Sequence, residues 1–185
     1  MADIIAGNKF ISLAKFVTDG DTLTLEKDGV EFKCRLRWID APETRKSHTS
    51  ADPKILNHWE WGEKSKTFLY NLVWGKQLTV IPYEIDQYNR WLCDLYLGDR
   101  IVVAVNIQLQ LSKAGMCANS LPFQLYNFRT SRELNLFKGI LTNCANAYKK
   151  KIGIWSSPDF IIPYEFKKLA MKINYQGTEH DSENY

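Results

Sequence analysis

The 185 residues carry 24 basic and 21 acidic side chains, and 45% of them are apolar, the profile of a globular chain with room for one sizeable core. A net charge of +3 is too small to identify a polyanionic partner on its own. No apolar run approaches the ~20 residues of a membrane span, so a membrane protein is excluded as a reading.

The first half reads as short strands. Phe10 to Val17 is rich in β-formers, and Thr22 to Glu26 alternates Leu23 and Leu25 with threonines. Asp28-Gly29 then supplies a tight hairpin turn. The next run has a period of two, with Phe32, Cys34, Leu36 and Trp38 on one face and Lys33, Arg35 and Arg37 on the other. One face packs and the other carries cations. A polar stretch from Arg45 to Asn57 reads as a mobile flap. A helical stripe follows in Trp61, Ser65, Phe68, Leu69, Leu72 and Val73, with Gly75 as its C-terminal cap.

Leu78 to Tyr83 reads as a strand, and Trp91 to Leu97 with Ile101 to Val105 as a hairpin around Gly98-Asp99. A short helix is expected from Asn106 to about Lys113. A longer one runs from Ser131 to about Lys151, opened by the capping box Thr130 to Glu133. Its apolar stripe reads as Leu134, Phe137, Leu141, Cys144 and Tyr148, ending near Gly153. Strands first and helices later predict an α+β fold, a five-stranded, partly open barrel with about three packed helices. Residues 1–156 form the domain and 157–185 a C-terminal extension. Within it Pro163 to Ile173 reads as one more helix and Asn174 to Tyr185 as disordered.

Cys34, Cys93, Cys117 and Cys144 lack any Cys-x-x-Cys pairing, and Cys34, Cys93 and Cys144 fall on apolar faces as buried thiols. His48, His58 and His180 show no zinc-ligand spacing. The N-terminus has no basic region followed by an apolar stretch. A cytoplasmic monomer is therefore the expectation, or a secreted one if a leader has been removed.

The chemistry concentrates in Asp19-Gly20-Asp21-Thr22 and in the segment from Arg35 to Glu43. Carboxylate oxygens bind a hard divalent cation, and guanidinium groups bind phosphate. Asp21 and Asp40 are candidate metal ligands, together with the Ala41 carbonyl. Glu43 can take a proton from a water or orient it. Arg35 and Arg90 can meet the charge that grows on a phosphoryl group. Each fragment alone also fits a turn, a strand exit or a solvated face. Their joint occurrence in one order favours metal-assisted attack on a phosphodiester.

That order resembles the staphylococcal nuclease (thermonuclease) family from about Phe16 to Trp155-Ser156. The resemblance rests on Asp19-Gly20-Asp21-Thr22, Arg35-Leu36, Ile39-Asp40-Ala41-Pro42-Glu43-Thr44, Asp86 with Tyr88-x-Arg90, Val105-Asn106 and the closing Gly-Ile-Trp-Ser. It implies an OB-fold barrel with packed helices and Ca²⁺-dependent cleavage of DNA and RNA to 3′-phosphate ends. By the same resemblance Asp21, Asp40 and the Ala41 carbonyl hold Ca²⁺, Glu43 is the general base, Arg35 and Arg90 stabilise the transition state, and Tyr88 contacts the nucleotide. Ala41 stands where some members carry Thr, and Asn89 replaces the commoner Gly between Tyr88 and Arg90. Met116 to Arg129 is longer than in compact members, with Phe123 and Tyr126 as candidates for base stacking. The rival reading is a catalytically silent OB-type domain that binds nucleic acid or protein. Such a domain would be expected to have lost one of Asp21, Arg35, Asp40, Glu43 and Arg90, and all five stand.

Overall fold

The computed structural model describes residues 3–45, 50–121 and 128–169. Among them the chain runs β1 (Phe10–Val17), β2 (Thr22–Lys27), β3 (Val30–Leu36), β4 (Ile39–Asp40), α1 (Pro53–Val73), β5 (Gln77–Ile85) and β6 (Trp91–Leu97). It continues with α2 (Ile107–Lys113), β7 (Ala118–Asn119), α3 (Ser131–Lys150) and a helical stretch at 163–169, here α4. No helix among the described residues is long and apolar enough to cross a membrane.

Five strands form a barrel in the order β1-β2-β3-β6-β5, every pair antiparallel except β3 with β6. This is an OB-fold barrel within an α+β domain. The barrel is closed, not partly open as the strand pattern suggested, because β5 also pairs along β1 from Phe10–Val80 to Leu13–Gln77. Asp28 and Gly29 take φ values of 51° and 76° in the β2–β3 turn, as a two-residue hairpin requires. Leu23, Leu25, Cys34, Leu36, Leu78, Val80, Cys93 and Leu95 fill the interior. Leu69 and Val73 of α1, Ile107 and Leu111 of α2, and Leu136, Ile140 and Cys144 of α3 complete the core. Each such side chain contributes about 2 kcal/mol on burial. All four cysteines are free buried thiols, Cys117 included.

Four local expectations need correction. Ile101 to Val105 is not a strand; residues 103–105 form a 3₁₀ turn. The place beside β6 is taken by side-chain amides instead. Gln108 Oε1 accepts the Leu95 N–H at 3.2 Å, and Asn106 Nδ2 donates to the Leu95 carbonyl at 3.2 Å. Helix α1 starts at Pro53, inside the stretch read as a flap, because Asp52 caps it by accepting the Lys54 N–H at 2.8 Å. The α3 stripe is rotated: Glu133, Leu136, Phe137, Ile140, Cys144 and Ala147 are buried, while Leu134, Leu141 and Tyr148 face outward. The remaining cationic face of β3 is also not uniformly solvated. Of the predicted helix from Pro163 to Ile173, residues 163–169 are helical, and the rest, like Asn174 to Tyr185, lies outside the described residues.

Arg37 is the clearest departure on that face. Its Nε and Nη2 donate to the two oxygens of Asp94 at 2.9 and 2.8 Å, and Nη1 reaches Glu133 at 3.1 Å. The guanidinium lies between the rings of Tyr83, at 3.2 Å, and Trp38, at 3.9 Å. Tyr83 donates its hydroxyl to Asp94 at 2.9 Å, and Gln108 donates to the same carboxylate at 3.1 Å. This buried network joins the end of β3 to β5, β6, α2 and α3 around one cation. Trp38 adopts φ 63°, a strained value for an aromatic residue, and is held there by Arg37 and by the Phe137 ring at 5.9 Å.

A second network docks the segment after Ser156. His58 is fully buried on α1 and stacks on Phe166 at 3.7 Å and on Phe160 at 5.5 Å. Its Nε2 accepts the Glu43 backbone N–H at 2.9 Å, and Nδ1 lies 2.9 Å from the Ile161 carbonyl. A backbone N–H only donates and a carbonyl only accepts, so the ring is the neutral tautomer with its proton on Nδ1. Burial, assisted by the nearby Lys167 charge, lowers the His58 imidazolium to about 4 from 6.5.

Two outcomes are expected. Arg37→Met strands two buried carboxylates and lowers unfolding free energy by about 3–5 kcal/mol in denaturant titrations; a loss below about 1 kcal/mol would contradict the network. For His58 the folded state disfavours the proton, so the unfolded chain binds more protons between pH 6.5 and 4, and stability falls as pH drops through that window. The stability advantage of wild type over His58→Gln therefore shrinks by about 3 kcal/mol from pH 7 to pH 4. An advantage independent of pH would show that His58 is not held neutral.

Candidate active site

The turn between β1 and β2 presents Asp21 immediately before Thr22, which pairs with Arg35 of β3. Strand pairing thus sets Asp21 beside Arg35 despite their separation in sequence. After the Trp38 turn, β4 brings Asp40 back to the same guanidinium, and pairing of Asp40 with Ala118 of β7 fixes it there. Arg35 Nη1 forms an ion pair with Asp21 Oδ1, and Nη2 donates to Asp40 Oδ1 at 2.9 Å. One guanidinium therefore spans two carboxylates from different parts of the chain.

Asp21 is 3% exposed, and its other contacts offset the cost of burying its charge. Oδ1 accepts the Thr22 hydroxyl at 3.0 Å, and Oδ2 accepts the Ala41 N–H at 2.6 Å. The last bond ties the β1–β2 turn to the residue that follows Asp40. Gly20 and Gly62 allow the close packing behind this loop. A Cβ on Gly20 would overlap Ser65 and Ala41, and one on Gly62 would overlap the Glu43 backbone. Ser65 in turn donates to the Met116 carbonyl at 2.6 Å, holding α1 to the segment before β7.

Glu43 follows Pro42, with its N–H held by His58 and its Oε1 lying 3.4 Å from Lys167 Nζ. Lys167 also approaches Asp40 Oδ1 at 2.7 Å. Arg90 stands just before β6, its Nε and Nη2 donating to Asp86 Oδ2 at 2.9 and 2.7 Å. Asp86 also accepts the backbone N–H groups of Tyr88 and Arg90, at 2.9 and 3.0 Å. Burial pushes the Asp86 carboxyl up, but hydrogen bonds from Arg90 and from the backbone outweigh it and hold the group below its ordinary range. Asn89 takes φ 59°, the left-handed conformation that Asn tolerates, so the turn forms without glycine. Arg90 Nη1 points to Thr22 Oγ1 at 3.5 Å, while the exposed Tyr88 ring lies 5.2 Å from the guanidinium.

Asp21, Arg35, Asp40, Glu43 and Arg90 are thus brought to one end of the barrel, with Ala41 bonded to Asp21 and Tyr88 at the Arg90 edge. The Asp21 and Asp40 carboxylates and the carbonyl of the Ala41–Pro42 peptide are oxygen donors of the type a hard divalent cation takes, but the Arg35 guanidinium spans the two carboxylates, and among the described residues no group of three Asp, Glu, His or Cys side chains is placed to hold a metal ion. Phe123 and Tyr126, the candidates for base stacking, lie outside the described residues, as does His48. Lys167 and His58 escaped the sequence reading as parts of the site. Lys167 has no spacing relation to the acidic motif, and a lone histidine on a helix gives no sign of what its two nitrogens meet. The Asp52-Pro53 start signal, which sets the buried face of α1, was the one clue available.

Comparison with known proteins agrees with this geometry. Residues 33–157 match the model of the staphylococcal nuclease homologue family. A Haemophilus influenzae protein described as an uncharacterized endonuclease is 30% identical over 164 residues, covering 86% of this chain and 76% of that protein. The thermonuclease of Staphylococcus intermedius is 30% identical over 107 residues, 56% of each chain. An Escherichia coli O157:H7 protein, also described as an uncharacterized endonuclease, is 27% identical over 148 residues, covering 80% of this chain and 78% of its own length. With the family match running from within β3 through α3, more than half of its length, this chain belongs to the staphylococcal nuclease homologue family.

Proposed function

We propose that this protein is a Ca²⁺-dependent nuclease that hydrolyses DNA and RNA with little sequence preference and leaves 3′-phosphate ends. Family membership supports a hydrolase acting on nucleic acid. The observation that carries the finer reading is the Arg35 guanidinium spanning Asp21 and Asp40, with Arg90 linked to the same cluster through Thr22. A silent nucleic-acid- or protein-binding barrel would have no need to assemble these five side chains at one end.

Asp21, Asp40 and the Ala41 carbonyl would hold the cation, which when bound withdraws charge from the scissile phosphodiester. Glu43 accepts the proton of the attacking water, its backbone fixed by the His58 bond. The water oxygen bonds to phosphorus as the bond to the 5′-oxygen breaks, and the 5′-oxygen takes a proton from solvent. That bond choice is what leaves phosphate on the 3′ end. Arg35 and Arg90 offer planar, paired N–H donors to the phosphoryl oxygens as their charge grows. Tyr88 flanks Arg90 where a nucleotide ring would lie. In this reading residues 1–156 form the nuclease domain and 157–185 its extension, acting as a monomer in the cytoplasm.

Two assays test the reading. Purified protein is expected to degrade single-stranded DNA and RNA when Ca²⁺ is added and to stop on chelation; digestion unaffected by a chelator would refute the metal assignment. Glu43→Ala and Arg90→Ala are each expected to lower turnover by about 10²-fold or more while circular dichroism and melting stay close to wild type. Normal cleavage by both variants would show that the catalytic groups lie elsewhere.

A further inference from the structure

Lys167 lies beyond the residues that match the family, 33–157, yet its ammonium sits inside the acidic cluster. Its position is built rather than incidental. Phe166, the preceding residue, is buried face to face on His58 at 3.7 Å with an interplanar angle of 3°. The ring of Phe160 packs parallel to His58 at 5.5 Å, and Nδ1 of the same histidine donates to the Ile161 carbonyl. Asn57 of α1 donates to Ser157 Oγ at 2.9 Å at the start of the segment. His58 also holds the Glu43 N–H, so a single ring fixes both Glu43 and the segment that delivers Lys167.

The charges show what this delivery does. Asp21 and Asp40 face the Arg35 guanidinium, and Lys167 brings a further cation to Asp40 and Glu43. Without Lys167, Asp40 Oδ1 keeps, among the described residues, the Arg35 contact. Asp40 and Glu43 are the groups nearest the ammonium, and Asp40 is a candidate ligand of the divalent cation. A cation bound by Asp40 would meet Lys167 as a like charge competing for the same carboxylate.

We propose that Lys167 belongs to the cation site: its ammonium competes with the divalent ion for Asp40 and sets the affinity of the site below what the carboxylates alone would give. This rests on the nuclease reading above. The α4 segment thereby acts as an internal counterion, and a divalent ion enters by displacing the Lys167 side chain from Asp40. Because that side chain is partly exposed, displacement needs a rotamer change and no unfolding of α4.

Calorimetric titration of Ca²⁺ into the full-length protein, free of nucleic acid, tests this without any activity measurement. Three proteins are compared: wild type, Lys167→Met and Lys168→Met. Lys168 is an exposed neighbour paired with Glu165 at 3.8 Å, so its variant controls for bulk charge. Lys167→Met is expected to bind Ca²⁺ about tenfold tighter or better, and Lys168→Met within about twofold of wild type. Wild-type binding with no gain in Lys167→Met, or an equal gain in Lys168→Met, overturns the role of Lys167 and leaves the nuclease reading standing. Absence of Ca²⁺ binding in all three overturns both.

Discussion

Everything at the candidate site depends on one buried carboxylate. Asp21 has almost no access to water, and an ionised group so placed is costly unless it is fully engaged. It is engaged by three different segments: the Arg35 guanidinium from β3, the Thr22 hydroxyl from β2 and the Ala41 N–H from the loop after β4. Satisfying this one group therefore fixes three backbones relative to one another. Asp40 precedes Ala41, so the bond that satisfies Asp21 also places the second carboxylate. The demand of a buried charge for partners is converted into the relative placement of two carboxylates.

The rest of the molecule keeps that loop where Asp21 needs it. On one side Arg37, clamped by Asp94 and Glu133 and lying between Tyr83 and Trp38, supports the left-handed turn that sends the chain from β3 back to Asp40. On the other side α1 presses against the loop through Gly20 and Gly62, positions where no side chain fits. His58 then fixes the Glu43 backbone from behind. Arg35 near the end of β3 and Arg37 just after it are two residues apart, yet one meets the acidic site and the other builds its foundation. Close packing of this kind resists small displacements, which is what a site for in-line chemistry requires.

Much of this was legible in the sequence. Alternation in β3 set Arg35 opposite Cys34 and Leu36, the Asp28-Gly29 pair gave the hairpin register, and that register alone put Arg35 against Thr22. The carboxylates and arginines that meet at the site stood out because their residue types and spacing are local. What was not legible depended on distant partners. Arg37 looks like a solvated cation until Asp94 and Glu133 arrive from β6 and α3. Ile101 to Val105 has strand-like composition, but Asn106 and Gln108 had already taken the β6 edge. The α3 stripe was misjudged because Leu134, Leu141 and Tyr148 repeat at a helical spacing as regular as the buried set, and Glu133 is buried only by virtue of Arg37. Lys167 carries no local signal at all; its meaning comes from the stacking of Phe166 on His58.

An OB-fold barrel, a cluster of three carboxylates and two arginines, and membership of a nuclease family support the proposal that a cation held by Asp21, Asp40 and the Ala41 carbonyl works beside Arg35 and Arg90 on a phosphodiester. The most direct measurement is a crystal structure with Ca²⁺ and a short single-stranded oligonucleotide carrying a non-hydrolysable phosphorothioate. The account predicts anomalous density for the ion about 2.4 Å from oxygens of Asp21, Asp40 and Ala41, with one phosphate group within hydrogen-bond reach of Arg35 and Arg90. An ion bound away from these oxygens, or a backbone phosphate that contacts neither arginine, would contradict it.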